Sequence, residues 1–205
     1  TWSSFYRNFW ADVSVSHNHT VYAASDARAE AGSRERIYRL VIGQSQAWES
    51  LTSTLPLGAI ISELRVSPRG TLYATNSQPV VRAEEAGGIV RSLNPAHPLG
   101  RTFETANHGL EDGTVMSGLW VGGDQLWSIA TNTRLMTYTD TLCTPLTLTA
   151  PPDQAGGVAN KNVTLSWAAK AGASQYQWQL DYDTDFSSVP DELSGQTTAT
   201  SIRLA

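Results

Sequence analysis

A segment of about twelve residues occurs twice in this chain, and a constant offset of 55 residues separates its two copies, which begin at Leu55 and Leu110. Six pairs of residues match in kind between the copies: Leu55/Leu110, Gly58/Gly113, Ile60/Val115, Ser62/Ser117, Leu64/Leu119 and Val66/Val121. A shorter copy at Val13–Ser16 lies 51 residues before Leu64–Ser67. A repeat of about 40 to 55 residues made of short strands is typical of blade-like arrays, so the architecture constrains this chain more than any single motif does.

Each copy predicts the same succession of short strands. An alternating first strand is followed by a polar turn and by a second strand that carries an aromatic residue: Tyr22, Tyr73 or Trp127. Third strands are expected at 37–40, 89–93 and 135–138, and a fourth segment closes the first two copies at 48–51 and 102–105. Alternation around a turn rich in Gly, Pro, Asn and Asp predicts a β-hairpin. Four short antiparallel strands make one propeller blade.

The best copy, Ser62–Ala74, reads SELRVSPRGTLYA and resembles the blades of bacterial β-propellers of the sortilin and photosystem-assembly-factor group. The resemblance covers about residues 1–142 and implies a propeller that displays turns between its strands and has no catalytic residues. The residues alone leave open an irregular β-sandwich of ordinary hairpins. Because a closed propeller takes at least four blades, we expect an all-β, partial propeller of about three blades.

The composition changes near Leu142, and residues 143–205 form the second predicted domain. A Pro-rich entry at Leu146–Pro152 is followed by Trp167 and by the alternating Tyr176, Trp178 and Leu180. This pattern resembles a fibronectin type III-like cell-surface module. Such a sandwich needs seven strands and about 100 residues. We therefore expect this module to be truncated, and the chain to be part of a longer protein or to be completed by other chains.

The bulk composition excludes several classes of function. The net charge is −5, and Lys161 and Lys170 are the only lysines, so the basic footprint that nucleic acid requires is absent. Cys143 is the only cysteine, which excludes an intrachain disulfide and a thiolate metal site. No apolar run reaches the length of a transmembrane helix.

Two insertions and several polar clusters are the candidate binding sites. Residues 25–36 and 77–88 are expected to be solvated loops on one rim, with a binding rim as the alternative. The pair His17 and His19 lacks a third metal ligand. The triplet Asp181, Asp183 and Asp185 begins like a calcium loop, but Phe186 stands where such a loop needs glycine, so we favour an acidic turn. The sequons at Asn18 and Asn162 permit glycosylation without requiring it.

No catalytic motif is present, and no catalytic, cofactor-binding or metal-binding residue is expected. The sequence contains no nucleophile elbow, phosphate loop or dinucleotide fingerprint. The acidic pairs Glu84-Glu85 and Glu111-Asp112 lie in segments without apolar surroundings that would raise a pKa. We therefore expect a non-enzymatic extracellular or cell-surface protein, structural or adhesive, with protein partners or self-assembly through the propeller rim and strand edges.

Two alternatives remain for the function. The first is a carbohydrate-binding or glycoside-processing propeller, which a rim with clustered aromatic and acidic side chains would favour. The second is an assembly factor that docks a larger complex through an arginine-rich patch of four residues: Arg28, Arg34, Arg36 and Arg82.

Overall fold

The computed structural model describes residues 10–16, 19–25, 36–51, 54–55, 59–93, 95, 102–131, 134–144, 146–152, 155–158, 161–180 and 193–204. The chain divides into two compact units, Thr1–Cys143 and Thr144–Ala205. Among the described residues the secondary structure is β-strand apart from two short 3-10 turns, Arg82–Glu84 and Thr141–Cys143. No helix in these ranges has the length and apolar character needed to cross a lipid bilayer.

The first unit consists of small antiparallel sheets, which we call the first, second and third blades. The first blade is formed by β1 (Trp10–Val15), β2 (Thr20–Ser25), β3 (Ile37–Val41) and β4 (Glu49–Ser50). The second blade is formed by β5 (Ile61–Val66), β6 (Leu72–Val81), β7 (Ala86–Ser92) and β8 (Glu104–Thr105). The third blade has three described strands, β9 (Met116–Gly122), β10 (Gln125–Ala130) and β11 (Arg134–Thr139).

The strands of every blade follow one another in space in the order of the chain. The first two blades have the orders β1-β2-β3-β4 and β5-β6-β7-β8, and in the third blade β10 lies between β9 and β11. The first two strands of each blade pair at equivalent positions beside the turn that joins them: Val15 pairs with Val21, Val66 with Leu72, and Val121 with Leu126. This up-and-down order without crossovers is that of a propeller blade. It confirms the all-β, partial-propeller prediction.

Alternation along the strands gives each blade two apolar faces, and consecutive blades pack face to face. Tyr22, Ala24 and Ile37 of the first blade share a core with Leu64 and Leu72 of the second. On the other side of the second blade, a second core is built from residues of the second and third blades: Tyr73, Ile89, Met116, Leu119, Leu126 and Ala130. Burial of each large apolar side chain contributes roughly 1.5–3 kcal/mol, so these two cores hold the stack together.

The segment 77–88 differs from its prediction in part, because strands extend into both of its ends and only the exposed turn at residues 82–85 is a solvated loop. β6 continues to Val81, and β7 begins at Ala86. The extension has a partner, since the Val80 amide donates to the Thr114 carbonyl at 2.8 Å and the Gly113 amide donates to the Val80 carbonyl at 2.9 Å. Of the other insertion, residues 26–35 lie outside the described residues, and at its ends the Ser25 amide donates to the Arg36 carbonyl at 2.8 Å.

The second unit contains two small sheets. In the first, β12 (Leu148–Ala150) pairs with β13 (Thr164–Trp167), which also pairs with β16 (Ser201–Arg203). In the second, β14 (Tyr176–Gln179) pairs with β15 (Ser194–Thr197). The rings of Trp167 and Tyr176 are both buried, and their centroids are 5.6 Å apart with the planes at 59°. This tilted aromatic pair is the core contact between the two sheets.

Candidate interaction face of the third blade

A repeated contact between a carboxylate and a backbone amide joins the innermost strands of consecutive blades. Asp12 on β1 accepts a hydrogen bond from the Leu64 amide on β5, with 2.9 Å between Oδ2 and N. Glu63 on β5 accepts one from the Leu119 amide on β9, with 2.8 Å between Oε2 and N. β5 and β9 are edge strands of their sheets, so their outward amides have no strand partner. Each carboxylate therefore satisfies an edge amide of the following blade.

Gly118 stands at the equivalent position of the third blade. It lies 55 residues after Glu63, and its φ of +67° is in the left-handed region that favours glycine. The register between β9 and β10 shifts beside it, between Ser128 and Ile129, which marks a β-bulge. The series of carboxylates that begins with Asp12 and Glu63 therefore ends at the third blade.

The third blade has an exposed apolar face on the side away from the second blade. We call this the outward face. Its four large apolar side chains are Trp120, Trp127, Ile129 and Leu135, which are 57%, 38%, 47% and 65% exposed. Trp127 is directly opposite Trp120, and Ile129 is directly opposite Leu135, so the four side chains form one continuous patch.

The equivalent positions in the preceding blades are covered. Tyr22 and Tyr73, which correspond to Trp127, are buried in the cores that their blades share with the next blade. Ile89, which corresponds to Leu135, belongs to the core between the second and third blades. In the first two blades, the face equivalent to the outward face is therefore the face on which the next blade packs.

The other end of the stack is also apolar. Val13 and Val15 of the first blade are 56% and 60% exposed. Their equivalents in the second blade are Leu64, which is fully buried, and Val66, which packs against the same core. The described stack of three blades thus has an exposed aliphatic strand at one end and an exposed aromatic face at the other.

A buried polar cluster ties the second blade to the residues that follow the third. The Tyr73 hydroxyl donates to Asp140 Oδ2 at 2.8 Å, and Arg91 Nη1 lies 2.5 Å from Asp140 Oδ1 in an ion pair. Arg91 Nε donates to Glu104 at 2.8 Å. Burial and the Asp140 carboxylate raise the pKa of Tyr73 well above its ordinary value. Burial alone lowers the pKa of Arg91, but Asp140 and Glu104 outweigh it and raise the pKa.

The one cysteine belongs to the same region. Cys143 is buried, and its Sγ lies 3.0 Å from the Asp140 carbonyl oxygen. Burial raises the pKa of the thiol, which disfavours the reactive thiolate. The cluster is thus a set of mutually bonded groups that fixes the end of the third blade.

Among the cavities that described residues of the first unit line, two are large enough to consider as binding sites. One, of about 140 Å³, is mainly apolar; Ile89, Leu126 and Met136 line it together with the exposed His108. The other, of about 280 Å³, has Phe103 among its lining residues and three acidic ones: Glu84, Glu85 and Glu104. The first suits a small apolar group and the second a cationic one, but neither contains an arrangement of an acid, a base and a nucleophile.

Those residues singled out in the sequence that the structure describes are not brought together into a site. His17, Asn18 and the triplet Asp181, Asp183 and Asp185 lie outside the described residues. His19 is exposed in a turn with a φ of +60°, and Asn162 is exposed, with its Oδ1 accepting from Arg203 at 3.2 Å. Among the described residues no group of three or more His, Cys, Asp or Glu is arranged to hold a metal ion.

The prediction of an arginine-rich patch is wrong for one of its four residues. Arg36 is buried, and its Nε donates to the Ala59 carbonyl at 3.3 Å, so this side chain cannot contribute to a surface patch. Arg82 is exposed and pairs with Asp112 at 3.5 Å. Arg28 and Arg34 lie outside the described residues.

Sequence reasoning missed the outward face, although a signal for it exists. Trp120 and Trp127 stand where the second blade has Arg65 and Tyr73. Tyr73 lies on the side of the second blade that the third blade covers, and Arg65 is directly opposite Tyr73, so comparison of the copies position by position would have revealed two tryptophans there.

Neither the scan against protein-family models nor the comparison with curated proteins finds a match. The comparison with solved structures finds 14 matching chains. One of them is titled "YCF48 bound to D1 peptide"; it has a TM-score of 0.46 and 15% sequence identity, and the match covers 64% of this chain and 37% of that chain.

Proposed function

We propose that this chain is a non-enzymatic protein-interaction scaffold at the cell surface, in which the blades present a binding face and the second unit is a spacer. The single observation that carries the proposal is the outward face, with Trp120, Trp127, Ile129 and Leu135 exposed side by side. Contiguous apolar patches on folded proteins mark interaction surfaces, and tryptophan is enriched where protein partners bind.

The rigidity of the blades supports a role in binding. The outward face is on strands whose opposite face packs into a core through Leu119 and Leu126. Its backbone therefore does not have to become ordered when a partner binds, which lowers the entropic cost of association. A protein partner with an apolar surface fits this face better than a polar ligand does.

The spacer role and the extracellular location are the finer part of the proposal. The strand orders β12-β13-β16 and β14-β15 and the buried Trp167 suit a fibronectin type III-like sandwich. Modules of this kind project binding domains from cell surfaces, and an adhesive or layer-forming function follows from that arrangement.

Carbohydrate binding is the second candidate, and one observation favours it. The indoles of Trp120 and Trp127 are exposed and adjacent, and flat aromatic faces stack well on sugar rings. The surrounding apolar Ile129 and Leu135 favour protein over carbohydrate, because a sugar requires polar groups to hold its hydroxyls.

Photo-crosslinking tests the proposal. A benzophenone amino acid at position 120, expressed in intact cells that produce this protein, should yield covalent adducts with protein. The same amino acid at position 42 is the matched control, since Ile42 is equally exposed but lies in a turn. Adducts with glycans alone, or equal protein adducts from both positions, would contradict the scaffold.

Labelling of Lys161 and Lys170 on intact cells by a membrane-impermeant reagent tests the proposed extracellular location, and unlabelled protein would contradict that location.

A further inference from the structure

We propose that the third blade binds an extended peptide segment of a partner protein, which pairs with the outer edge of β11 as a fourth strand and inserts one aromatic side chain into the cavity beside it. The cavity lies on the side of the blade opposite to the outward face, among the neighbours of Leu126 and Met136. The inference therefore does not depend on the proposed function.

The apolar cavity of about 140 Å³ corresponds, position by position, to a filled part of the preceding junction. Residues that line it are equivalent to core residues between the first two blades in these pairs, with the earlier residue first: Ile37/Ile89, Leu51/Ala106, Leu55/Leu110, Ile61/Met116, Leu72/Leu126, Ala74/Ser128 and Val90/Met136. The core between the first two blades contains one further large side chain, the buried Phe103. No described residue stands at the equivalent place beside the third blade, and the cavity lies there.

The cavity has the size and the chemistry to hold one aromatic ring. An apolar cavity of about 150 Å³ lined by aliphatic and aromatic side chains binds benzene. Met116 and Met136 contribute flexible, polarisable side chains, which make favourable contacts with aromatic rings. His108 and Gly109 are exposed and also line the cavity, so a ring can enter it from solvent.

A fourth strand carries Phe103, and the described part of the first unit has no such strand on the third blade. β4 and β8 pair with β3 and β7, and the residue after each donates its amide to the carbonyl of Ile37 at 2.9 Å or of Ile89 at 2.8 Å. β11 is the last strand of its sheet. The residues that follow β11 at the corresponding distance form β12, which pairs with β13 of the second unit.

The outer edge of β11 presents backbone groups that an added strand would satisfy. Ile89 directs both of its groups to this edge, since its amide donates to Asn107 Oδ1 at 2.8 Å and its carbonyl accepts from the Ala106 amide. Leu135 is the equivalent of Ile89, and the backbone groups of Thr137 point the same way because they lie two residues further along the strand. No described residue pairs with β11 across this edge, and addition of a peptide strand is a recurring way to complete such an edge.

The residues of β11 indicate which peptide fits. The peptide residue after the aromatic one lies opposite Thr137, where the second blade has Arg91 paired with Glu104, so an uncharged residue suits this position. Three residues further, the peptide lies opposite Arg134, which is exposed and makes no ion pair with a described residue. The partner segment is therefore an aromatic residue, two uncharged polar residues, an apolar residue and an acidic residue.

Nuclear magnetic resonance of methyl-labelled methionine tests the inference on the 205-residue chain. The chain has two methionines, Met116 and Met136, and both line the cavity. The probe is the acetylated and amidated peptide Thr-Phe-Thr-Thr-Ala-Glu, which follows residues 102–106 with threonine for Glu104 and an added glutamate. At up to about 1 mM peptide, the ring current of the bound phenylalanine should shift both methyl resonances. The same peptide with alanine for phenylalanine should bind at least about tenfold more weakly and leave both resonances in place.

Two variants separate the cavity from the strand edge. Ala106→Leu places in the cavity the side chain that Leu51 has in the preceding core, and it should weaken peptide binding at least about tenfold. Thr137→Pro removes an outward amide without breaking a bond to β10, and it should weaken binding as strongly. Ala86→Leu is the matched control, because Ala86 is partly exposed and does not line the cavity. If the near-ultraviolet circular dichroism of Ala106→Leu changes, Thr137→Pro and the alanine peptide decide.

Three results would each overturn the inference: methyl resonances that the peptide leaves in place, equal affinity for the phenylalanine and alanine peptides, or a folded variant at position 106 or 137 that binds like the wild type. Occupation of the cavity by another segment of this chain would produce the first of these results. Shifts of both methionine signals that require the phenylalanine, together with loss of binding in both variants, are the result that strand addition predicts.

Discussion

The carboxylate of Glu63 accepts a hydrogen bond of 2.8 Å from the backbone amide of Leu119, at the point where the second blade meets the third. Asp12 makes the same bond with Leu64 one blade earlier. A polar side chain that caps the edge of the next sheet sets the distance and the register between blades, while the apolar cores provide most of the binding energy.

Removal of this bond should weaken the first unit measurably. We expect Glu63→Ala to lower the free energy of unfolding by about 1–2 kcal/mol, because the Leu119 amide loses a charged acceptor. Because Glu63 is partly exposed, this loss of free energy should lie at the lower end of the range usual for a hydrogen bond to a charged group. Urea unfolding followed by tryptophan fluorescence measures the change. Glu111→Ala, in an exposed turn, is the control and should change the stability by less than about 0.5 kcal/mol. If the two substitutions lowered the free energy of unfolding equally, the hydrogen bond between Glu63 and Leu119 would not stabilise the first unit.

The buried Tyr73 should make stability fall in alkali. Its pKa is raised in the folded protein, so the neutral form is favoured there, and the contribution is complete below the ordinary value of 10.0. As the pH rises above that value, the unfolded tyrosine ionises first and the contribution is lost. The difference in unfolding free energy between the wild type and Tyr73→Phe should therefore shrink between pH 9 and pH 11, by up to about 1.4 kcal/mol per pH unit. Both proteins should carry Cys143→Ala, because the Cys143 thiol interacts with Tyr73 and its titration would otherwise differ between them. A difference that stays constant over this range would refute the assignment.

The ion pair of Arg91 with Asp140 should be the most sensitive charged contact in the first unit. Arg91→Met leaves the buried Asp140 carboxylate without its cation, and we expect a loss of about 3–5 kcal/mol in unfolding free energy. Arg82→Met is the matched control, because Arg82 and Asp112 pair on the surface and such pairs contribute at most about 1 kcal/mol. Urea titrations of the two variants under identical conditions give the comparison. If both variants lost the same unfolding free energy, the pair of Arg91 with Asp140 would contribute no more than a surface ion pair does.

Gly87 should tolerate no side chain. It has a φ of +70°, and a Cβ atom there would lie 2.2 Å from the Pro79 carbonyl oxygen. Gly87→Ala should cost about 3 kcal/mol or more, since the backbone of the hairpin has to shift. Gly43 has a similar φ of +81° but open space around it, so Gly43→Ala should cost only about 1–2 kcal/mol. Thermal unfolding of the pair separates backbone strain from steric overlap, and equal losses would argue against the close approach.

The sequence was sufficient to predict the strands and their up-and-down order, because alternation and the repeat at 55 residues are local signals. The short fourth strands at 49–50 and 104–105 were also predicted, as segments that close a copy. The two ends of the segment 77–88 were predicted wrongly as loop, because Pro79 and the Gly87-Gly88 pair are typical of loops, whereas the exposed turn at residues 82–85 agrees with the prediction. The pairing of Val80 with Thr114 depends on a residue more than thirty positions away, which no local pattern contains.

The contacts between blades could not be predicted from local sequence patterns either. Asp140 bonds Tyr73 across 67 residues, and nothing in the surrounding sequence marks either residue as a partner of the other. The outward face was missed for a different reason. Alternation identifies the two sides of a strand but not which side a neighbour covers, so Trp127 and its partner Trp120 acquired meaning only once the equivalent Tyr73 was seen to pack against the next blade.

Hydroxyl-radical footprinting of the outward face, on intact cells and on the purified chain in dilute solution, tests the central claim most directly. Oxidation of Trp120 and Trp127 should be several-fold slower in cells than in the dilute chain, while Trp48, away from this face, should react at the same rate in both. Slower oxidation confined to the two tryptophans of the third blade is the result that a bound partner predicts. Equal oxidation of Trp120 and Trp127 in the two samples would mean that the face stays open, and it would contradict the proposal that this protein acts as an interaction scaffold through its third blade.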